Sequence, residues 1–480
     1  MRPLPPTLAV LALLPALAVI VLPVSLARAQ SGQPWLDDRR YGQGIGVRSG
    51  DLELHPGIAT QVGYDSNYLQ NSGDVGVTTD GALNLNEPVI DVARLRVTPS
   101  LSLKTLSASR LAGGLHAAPP VAQFEARAHF SYNMLFPLES SATGDSLSNF
   151  LQGGTGLQLD ILPERPFGAD ANLAFTRIVQ PNNDPLLPPA FNREIYQGEL
   201  GIIWRPGGKK MSWRVAYGAT YTRFELDTFT GYDNLAHGLI TAGHWKFLPR
   251  TALLYEGRLG FVTYSDTDSA LSDSRPISTK IGLAGLLSNH VSLLTMLGWL
   301  ATFYEPVAGT TQDYDGPIGQ LQLTYYPSPQ PEAPLGATAV GLSSVAVGYL
   351  RSVDNAYLGN YVRRDRVYTD LSYFVGGMVV LSLQGGLSAL ARPSATIGDN
   401  PGPSDRIPAF TEQRADATAF AEWRTSNTLG INATLVYSAA LKNQLVRARA
   451  EDTVPPGQAI PADNLRFDRY EIWLGGRWFL

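Results

Sequence analysis

The sequence contains no cysteine among its 480 residues. Disulfide bonds, thiolate metal sites and thiol nucleophiles are therefore excluded. A lipid-anchored exported protein needs a cysteine at its cleavage site to carry the acyl chains, so acylation of the N-terminus is excluded as well.

Charged residues are also few. Asp, Glu, Lys and Arg make up 16% of the chain, against about 25% in soluble domains, and a soluble enzyme of this length would carry more. The formal net charge is -5, and no strongly basic region points to nucleic acid as a partner.

Long hydrophobic runs are missing after the N-terminal segment. No later stretch approaches the roughly 18 uncharged apolar residues that a membrane-spanning helix needs. The mean hydropathy is close to neutral, but this does not exclude a membrane protein. In a transmembrane β-barrel each apolar outward residue is balanced by a polar inward one, so the average hides the membrane face.

The N-terminal 29 residues have the three parts of a secretory signal peptide. Arg2 supplies the basic start, an apolar core runs from Leu8 to Leu22, and Ala27-Arg28-Ala29 is a small-x-small cleavage site. Pro15 and Pro23 interrupt the apolar core, which argues against a transmembrane anchor. We predict cleavage near Ala29, then a polar periplasmic leader over residues 30–50 and a single barrel domain over residues 51–480.

The chain from residue 51 onward consists of alternating segments separated by turn residues. In the first segment, Ile58 and Val62 fall on one face, and His55 and Gln61 fall on the other. A period of two indicates β-strands. The predicted strands lie at 51–64, 92–104, 121–133, 148–162, 168–180, 193–205, 211–226, 233–248, 251–265, 276–288, 291–304, 314–327, 338–351, 361–375, 378–391, 409–425, 428–441 and 466–480. That is about 18 strands, within a range of 16 to 20, and an even number is typical of single-chain bacterial barrels.

The connections between these segments alternate between short and long. Pro163 to Pro166 and Ser426-Asn427 are short, whereas Asp266 to Arg275, Ser352 to Asn360 and Pro393 to Pro408 are longer. Outer-membrane barrels have tight periplasmic turns and longer extracellular loops, an asymmetry that a soluble sandwich or propeller does not predict. The predicted fold class is an all-β, transmembrane, antiparallel up-and-down β-barrel.

The last segment, residues 466–480, separates an apolar face from a charged one. The apolar face consists of Tyr470, Ile472, Leu474, Trp478 and Leu480. The segment resembles the C-terminal strand of bacterial outer-membrane β-barrels, although it ends on Leu480 with Phe479 one place earlier. The resemblance implies that these five residues are an insertion signal read by the barrel-insertion machinery. It also implies that the protein lies in outer-membrane lipid of a Gram-negative bacterium.

The opposite face of the predicted strands carries charges of both signs, and we predict that it lines the interior. The candidate lining residues are Arg94, Arg96, Glu125, Arg127, Glu256, Arg258, Arg364, Arg366, Asp370, Glu412, Arg414, Asp416, Arg424, Glu471 and Arg477. Because the signs are mixed, this is not a simple anion or cation ring. Two interpretations remain open.

In the first interpretation, the charges are cross-strand pairs that stiffen the wall of a wet barrel. In the second, they form a polar lining along which an uncharged or weakly acidic hydrophilic solute moves. Tyr368 and Trp473 could then stack on sugar rings.

Signs of catalysis are weak. The six histidines show no metal-ligand spacing and no nucleophile pattern, and they are His55, His116, His129, His237, His244 and His290. We predict that the protein is not an enzyme and holds neither a metal nor a cofactor.

The residues at the end of the first strand narrow the choice between possible functions. Gly63-Tyr64-Asp65-Ser66-Asn67 is similar to the opening of a β-barrel porin family that is often found beside exopolysaccharide genes. The resemblance implies an outer-membrane translocation channel for secreted polysaccharide, which a periplasmic polysaccharide-export protein hands on. The alternatives are a general or substrate-specific diffusion porin for small hydrophilic solutes, and a plugged structural or adhesive barrel.

Overall fold

The computed structural model describes most of the chain after the leader. The described residues are 46–73, 75–77, 83–85, 89–105, 121–138, 147–179, 192–207, 210–225, 231–265, 272–305, 313–327, 343–356, 360–375, 378–396, 406–443, 445–447 and 462–480. The predicted signal peptide and most of the predicted leader lie outside these residues.

Eighteen long strands, named β1 to β18 here, form the sheet. They are β1 Leu52–Asp65, β2 Val92–Thr105, β3 Ala122–Pro137, β4 Phe150–Ile161, β5 Phe167–Ile178, β6 Arg193–Trp204, β7 Met211–Phe224, β8 Asn234–Leu248, β9 Thr251–Tyr264, β10 Ser274–Leu286, β11 Val291–Tyr304, β12 Tyr314–Tyr325, β13 Ser344–Asn355, β14 Tyr361–Val375, β15 Val379–Arg392, β16 Phe410–Arg424, β17 Leu429–Ala440 and β18 Phe467–Phe479. Each predicted strand has one counterpart, so the fold class and the strand count are confirmed.

The sheet is closed. Every strand pairs antiparallel with the next one in sequence, and β18 pairs with β1 from Phe479 opposite Gly57 to Glu471 opposite Asp65. A closed sheet leaves no strand edge with unpaired backbone groups, which is the condition for a β structure inside lipid.

A short segment completes the edge of β1. Val47–Ser49 pairs with Leu52–Leu54, where β1 extends beyond the residues that β18 covers. These three residues belong to the predicted leader, and their place in the sheet was not predicted. Three small hairpins also lie within long connections: Val75–Val77 with Leu83–Leu85, Ala395–Thr396 with Arg406–Ile407, and Leu445–Arg447 with Ala462–Asn464.

The two ends of the barrel differ in their connections, as predicted. At one end, called the tight-turn end, β8 meets β9 through residues 249–250 and β14 meets β15 through residues 376–378. Residues 106–121 and 326–343 are long exceptions at that end. At the other end, the long-loop end, the connection after β13 is shorter than expected because this strand continues to Asn355. Of the predicted strand 338–351, residues 338–342 lie outside the described residues.

One alternation of side chains runs around the whole sheet, because cross-strand partners lie on the same face. Leu200, Ile202 and Leu297 are 65%, 67% and 68% exposed, whereas Gln61 and Trp473 on the other face are 1% and 0% exposed. In a closed sheet of a single layer, large side chains can be buried this completely only on the inside. The apolar face is therefore the outside of the barrel.

Six strands carry the same pair of outward residues, an aromatic residue at the tight-turn end and a charged residue ten positions away along the strand. The pairs are Phe167 and Arg177, Trp204 and Glu194, Trp213 and Arg223, Tyr325 and Asp315, Tyr373 and Arg363, and Trp478 and Asp468. An apolar outer belt of constant height therefore lies between an aromatic ring and a charged ring.

A small hydrophobic core lies at the long-loop end. Tyr68 and Leu69 follow β1, and they pack with Ile90, Val92 and Leu135. Among the described residues, no helix is long and apolar enough to cross a membrane.

Candidate functional site

The inward face of the barrel is the candidate site. The strand registers place all fifteen candidate lining residues on this face, opposite the exposed apolar residues. The structure does not distribute them evenly. It groups them into clusters that sequence alone did not define.

The first group, called the seam cluster, joins the first, second and last strands. Asp65 accepts hydrogen bonds from Arg94 at 3.0 Å and from Arg469 at 2.5 and 2.8 Å. Glu471 forms ion pairs with the same two arginines, each at 3.1 Å. Asp65 is fully buried. The charges of two carboxylates and two guanidinium groups thus balance each other on the inner side of the junction between β1 and β18.

Asp65 was missed in the sequence because it was assigned to the turn after the first strand. The inward residues of that strand have odd numbers, and Asp65 is the next residue in this series. Extending the period-two pattern by one inward position would therefore have predicted it. Tyr68, which follows the strand, covers the seam cluster with its ring 5.4 Å from the Arg94 guanidinium. Burial raises the pKa of the Tyr68 phenol, so this ring stays neutral beside the cluster.

Trp473 fills the interior next to the seam cluster. Its ring lies 4.0 Å from the Arg96 guanidinium and 4.7 Å from that of Arg94. Arg96 also donates to Gln61 Oε1 at 2.7 Å, and Gln61 donates to Asn432 Oδ1 at 2.8 Å. Because Trp473 is fully buried, the expectation that it could stack on a passing sugar is wrong. This side of the interior is packed with side chains.

A second group lies at the tight-turn end, between β16 and β18. Glu422 accepts from Arg477 Nη2 at 2.7 Å and from Arg424 Nε at 3.2 Å. The Phe479 ring lies 4.5 Å from the Arg477 guanidinium and 5.6 Å from that of Arg424. Glu422 has the same inward parity as Arg424, and the alternation of this strand predicts both on the inner face.

Ion pairs also cover the wall of β5 to β7 and the wall of β9 and β10. Arg214 bonds to Asp170 through Nε at 2.9 Å and pairs with Glu199, and Lys280 pairs with Glu256 at 2.6 Å. Only Glu256 of these five was predicted. The other four also point inward, but each stands alone in its strand, so no charged neighbour in the sequence marks it.

The remaining predicted residues are partly paired. Arg127 lies 3.2 Å from Glu125, and Gln384 donates to Asp370 at 3.4 Å. Arg366 donates to Asp416 at 2.5 Å, and Arg414 pairs with Glu412.

Arg364 and Arg258 differ from these pairs. Arg364 donates from Nε to Ser388 Oγ at 3.3 Å. Within the part of the chain that the structure describes, neither Arg364 nor Arg258 has a carboxylate within ion-pair distance.

Tyr368 is held against the wall. Its hydroxyl donates to Gln322 Oε1 at 2.8 Å and accepts from Gln320 Nε2 at 3.2 Å. The ring lies over Gly348, where an added Cβ would come within 2.2 Å of it. The described residues contain no group of three histidine or carboxylate side chains that could hold a metal ion.

The chain matches no protein-family model, and no curated protein matches it. Solved structures with similarity to it include an outer-membrane protein, a porin and an iron transporter. OpdK of Pseudomonas aeruginosa, solved with vanillate, has a TM-score of 0.41 and 10% identity over 89% of this chain and 99% of that chain. The BenF-like porin of Pseudomonas fluorescens Pf-5 has a TM-score of 0.43 and 9% identity over 90% and 99%. The FrpB iron transporter of Neisseria meningitidis has a TM-score of 0.44 and 9% identity over 94% and 83%. Identity this low transfers no residue role, substrate or partner.

Proposed function

We propose that the protein is an outer-membrane translocation channel for a secreted polysaccharide, which a periplasmic export partner delivers to it. The proposal includes export with cleavage near Ala29 and insertion through the C-terminal strand, and it assigns no catalytic step to the chain. The observation that carries it is the division of a closed 18-strand sheet into an apolar outer face and a charged inner face.

The height of the outer belt supports a membrane location. Ten residues of a strand span about 34 Å, and at a tilt of about 40° this is roughly 26 Å along the barrel axis, close to the roughly 25 Å apolar band of such barrels. Because outer-membrane barrels have short periplasmic turns, we place the tight-turn end and its aromatic ring at the periplasmic interface, and the charged ring at the outer one.

The inner wall supports passage of a hydrophilic polymer. A barrel of about this strand number has an interior too wide for its own side chains to fill completely. Most inward charges are compensated by a neighbour, so the wall offers hydrogen bonds without deep ionic traps. Solutes move through a channel only when binding is weak enough for release, and a chain of sugar hydroxyls suits such a wall.

Two other functions each have an observation in their favour. A diffusion porin is favoured by Arg258 and Arg364, whose charges are available to small ionic solutes. A plugged structural barrel is favoured by the buried side chains around Trp473, which close part of the interior.

The decisive experiment is deletion of the gene followed by measurement of cell-surface polysaccharide. We expect surface polysaccharide to fall and to return when the wild-type gene is restored. Planar bilayers then separate the alternatives. An export channel is silent or erratic without its partner, whereas a porin conducts stably alone. Unchanged surface polysaccharide together with stable conductance would replace the proposal by the porin.

A further inference from the structure

We propose that the passing solute is a carboxylate-bearing saccharide, and that Arg364 is the position on the wall that binds its carboxylate. This inference rests on the proposed function and names the substrate class of the same interior.

Arg364 is oriented but not neutralised. It lies on the inward face of β14 and is half-buried. Its Nε is tied to Ser388 on the neighbouring β15 at 3.3 Å. Its two terminal nitrogens have no partner among the described residues. A guanidinium group fixed at Nε presents the two terminal nitrogens as a fork that matches a carboxylate.

The neighbouring arginines are compensated where Arg364 is not. Arg366 is held by Asp416 at 2.5 Å. It lies flat on the wall over Gly386, where a Cβ would come within 2.5 Å of Arg366 Nε. Arg414 is paired with Glu412. Both arginines repel the charge of Arg364, so an added anion at this point lowers the energy of the whole group.

A second uncompensated arginine acts on the same region. Arg258 projects from β9, which three strands separate from β13, and both Arg258 and Arg364 interact electrostatically with Asp354 on β13. Neither forms an ion pair with it in the described part of the chain. Asp416 also attracts Arg364, but Asp416 is already paired with Arg366. Asp354 therefore faces two arginines and forms an ion pair with neither, which leaves an excess of positive charge in this part of the interior.

The size of this excess favours a carboxylate over a phosphate. A singly charged carboxylate balances one guanidinium and can leave again, whereas a phosphate monoester carries about two charges and three strong acceptor oxygens. Such a ligand would be trapped, and conduction requires release. A polymer with a carboxylate on its sugar rings satisfies both conditions.

The test is a binding measurement on the full-length barrel in detergent, which does not require an open channel. The probes are a fluorescent oligogalacturonate and a neutral maltooligosaccharide of equal length. Because charge-assisted hydrogen bonds are about twice as strong as neutral ones, we expect the wild type to bind the charged oligomer about tenfold more tightly. Arg364→Gln should lose this preference, and Arg364→Lys should keep part of it.

The matched control is Arg275→Gln, which removes the same charge from the outer face, where Arg275 pairs with Glu305 at 3.3 Å and both side chains are exposed. It should bind like the wild type. Equal binding of both oligomers by the wild type, or an unchanged preference in Arg364→Gln, would overturn the inference. Heat-modified electrophoretic mobility checks folding. If Arg364→Gln does not fold, Arg364→Lys decides, and a preference equal to that of the wild type in this variant would overturn the inference.

Sugar flux into vesicles separates this inference from the proposed function. Flux of both oligomers without charge preference would leave the passage standing and remove the role of Arg364. Preferential binding of the charged oligomer without flux of either oligomer would leave the role of Arg364 standing and contradict passage through the barrel.

Discussion

Large inward side chains lie flat against the wall where a glycine faces them. Gly63 on β1 lies beneath the ring of Trp473, and a Cβ at that position would come within 2.4 Å of Trp473 Cε3. The ring cannot move away freely, because it is fully buried and contacts the guanidinium of Arg96 at 4.0 Å. A missing side chain on one strand thus positions an aromatic ring on another.

Gly63→Ala should therefore destabilise the barrel. The added methyl group has to displace Trp473 from its contact with Arg96, and overpacking of this kind costs about 1–3 kcal/mol. The free energy of unfolding, measured by denaturant titration in detergent micelles, should fall by that amount.

Gly156→Ala is the matched control, because among the described residues a Cβ at this inward glycine of β4 would meet only the Leu173 carbonyl oxygen, at 3.9 Å. It should change stability little. An equal loss in both variants would mean that the contact with Trp473 is not the cause.

At the scale of elements, the seam cluster is a side-chain contact that joins β1 to β18 in addition to their backbone pairing. Asp65 bonds to Arg469 across a separation of 404 residues. Asp65→Asn would leave Arg94 and Arg469 with Glu471 as their shared carboxylate, and removal of one partner from a buried ion pair costs about 3–5 kcal/mol. The temperature at which the folded band disappears in electrophoresis should fall clearly.

Glu305→Gln provides the comparison for that variant. It breaks the exposed pair with Arg275, in which the side chains are 60% and 63% exposed, and exposed pairs contribute about 0–1 kcal/mol. If the folded band of Asp65→Asn were as heat-resistant as that of Glu305→Gln, the seam cluster would not hold the closure.

The two faces of β6 offer a test of the lipid assignment. Leu200 is 65% exposed on the outer face, and an arginine near the middle of the membrane costs about 2–4 kcal/mol. Leu200→Arg should therefore lower the free energy of unfolding in lipid vesicles by that amount. Gln197→Arg, on the inward face of the same strand, should cost much less, and similar costs at both positions would mean that the faces are wrongly assigned.

At the scale of the whole molecule, the apolar outer belt decides where the chain can reside. The processed protein should be found in the outer-membrane fraction and should begin at Gln30, since cleavage is predicted after Ala29. Cell fractionation with N-terminal sequencing measures both. Recovery of the chain in a detergent-free soluble fraction would contradict the transport proposal.

Local pattern was sufficient for much of the barrel. A strand needs only its own alternation to separate an outer from an inner face. Most connections show by their length at which end they lie, and residues 106–121 and 326–343 are the exceptions. The 18 strands and the faces of Ile58, Gln61 and Leu474 were therefore predictable. The boundaries of β13 were less so, because the polar residues that continue it to Asn355 look like a loop.

Only the tertiary structure decided which inward charges meet and which part of the interior is filled. Alternation shows that Arg94, Asp65 and Glu471 have inward parity, but it does not bring residues from opposite ends of the chain together. Closure does so, because pairing β18 with β1 fixes one register around the ring. That register buries Trp473, and it leaves Arg364 with no carboxylate within ion-pair distance among the described residues. Neither outcome can be predicted from the sequence of a single strand.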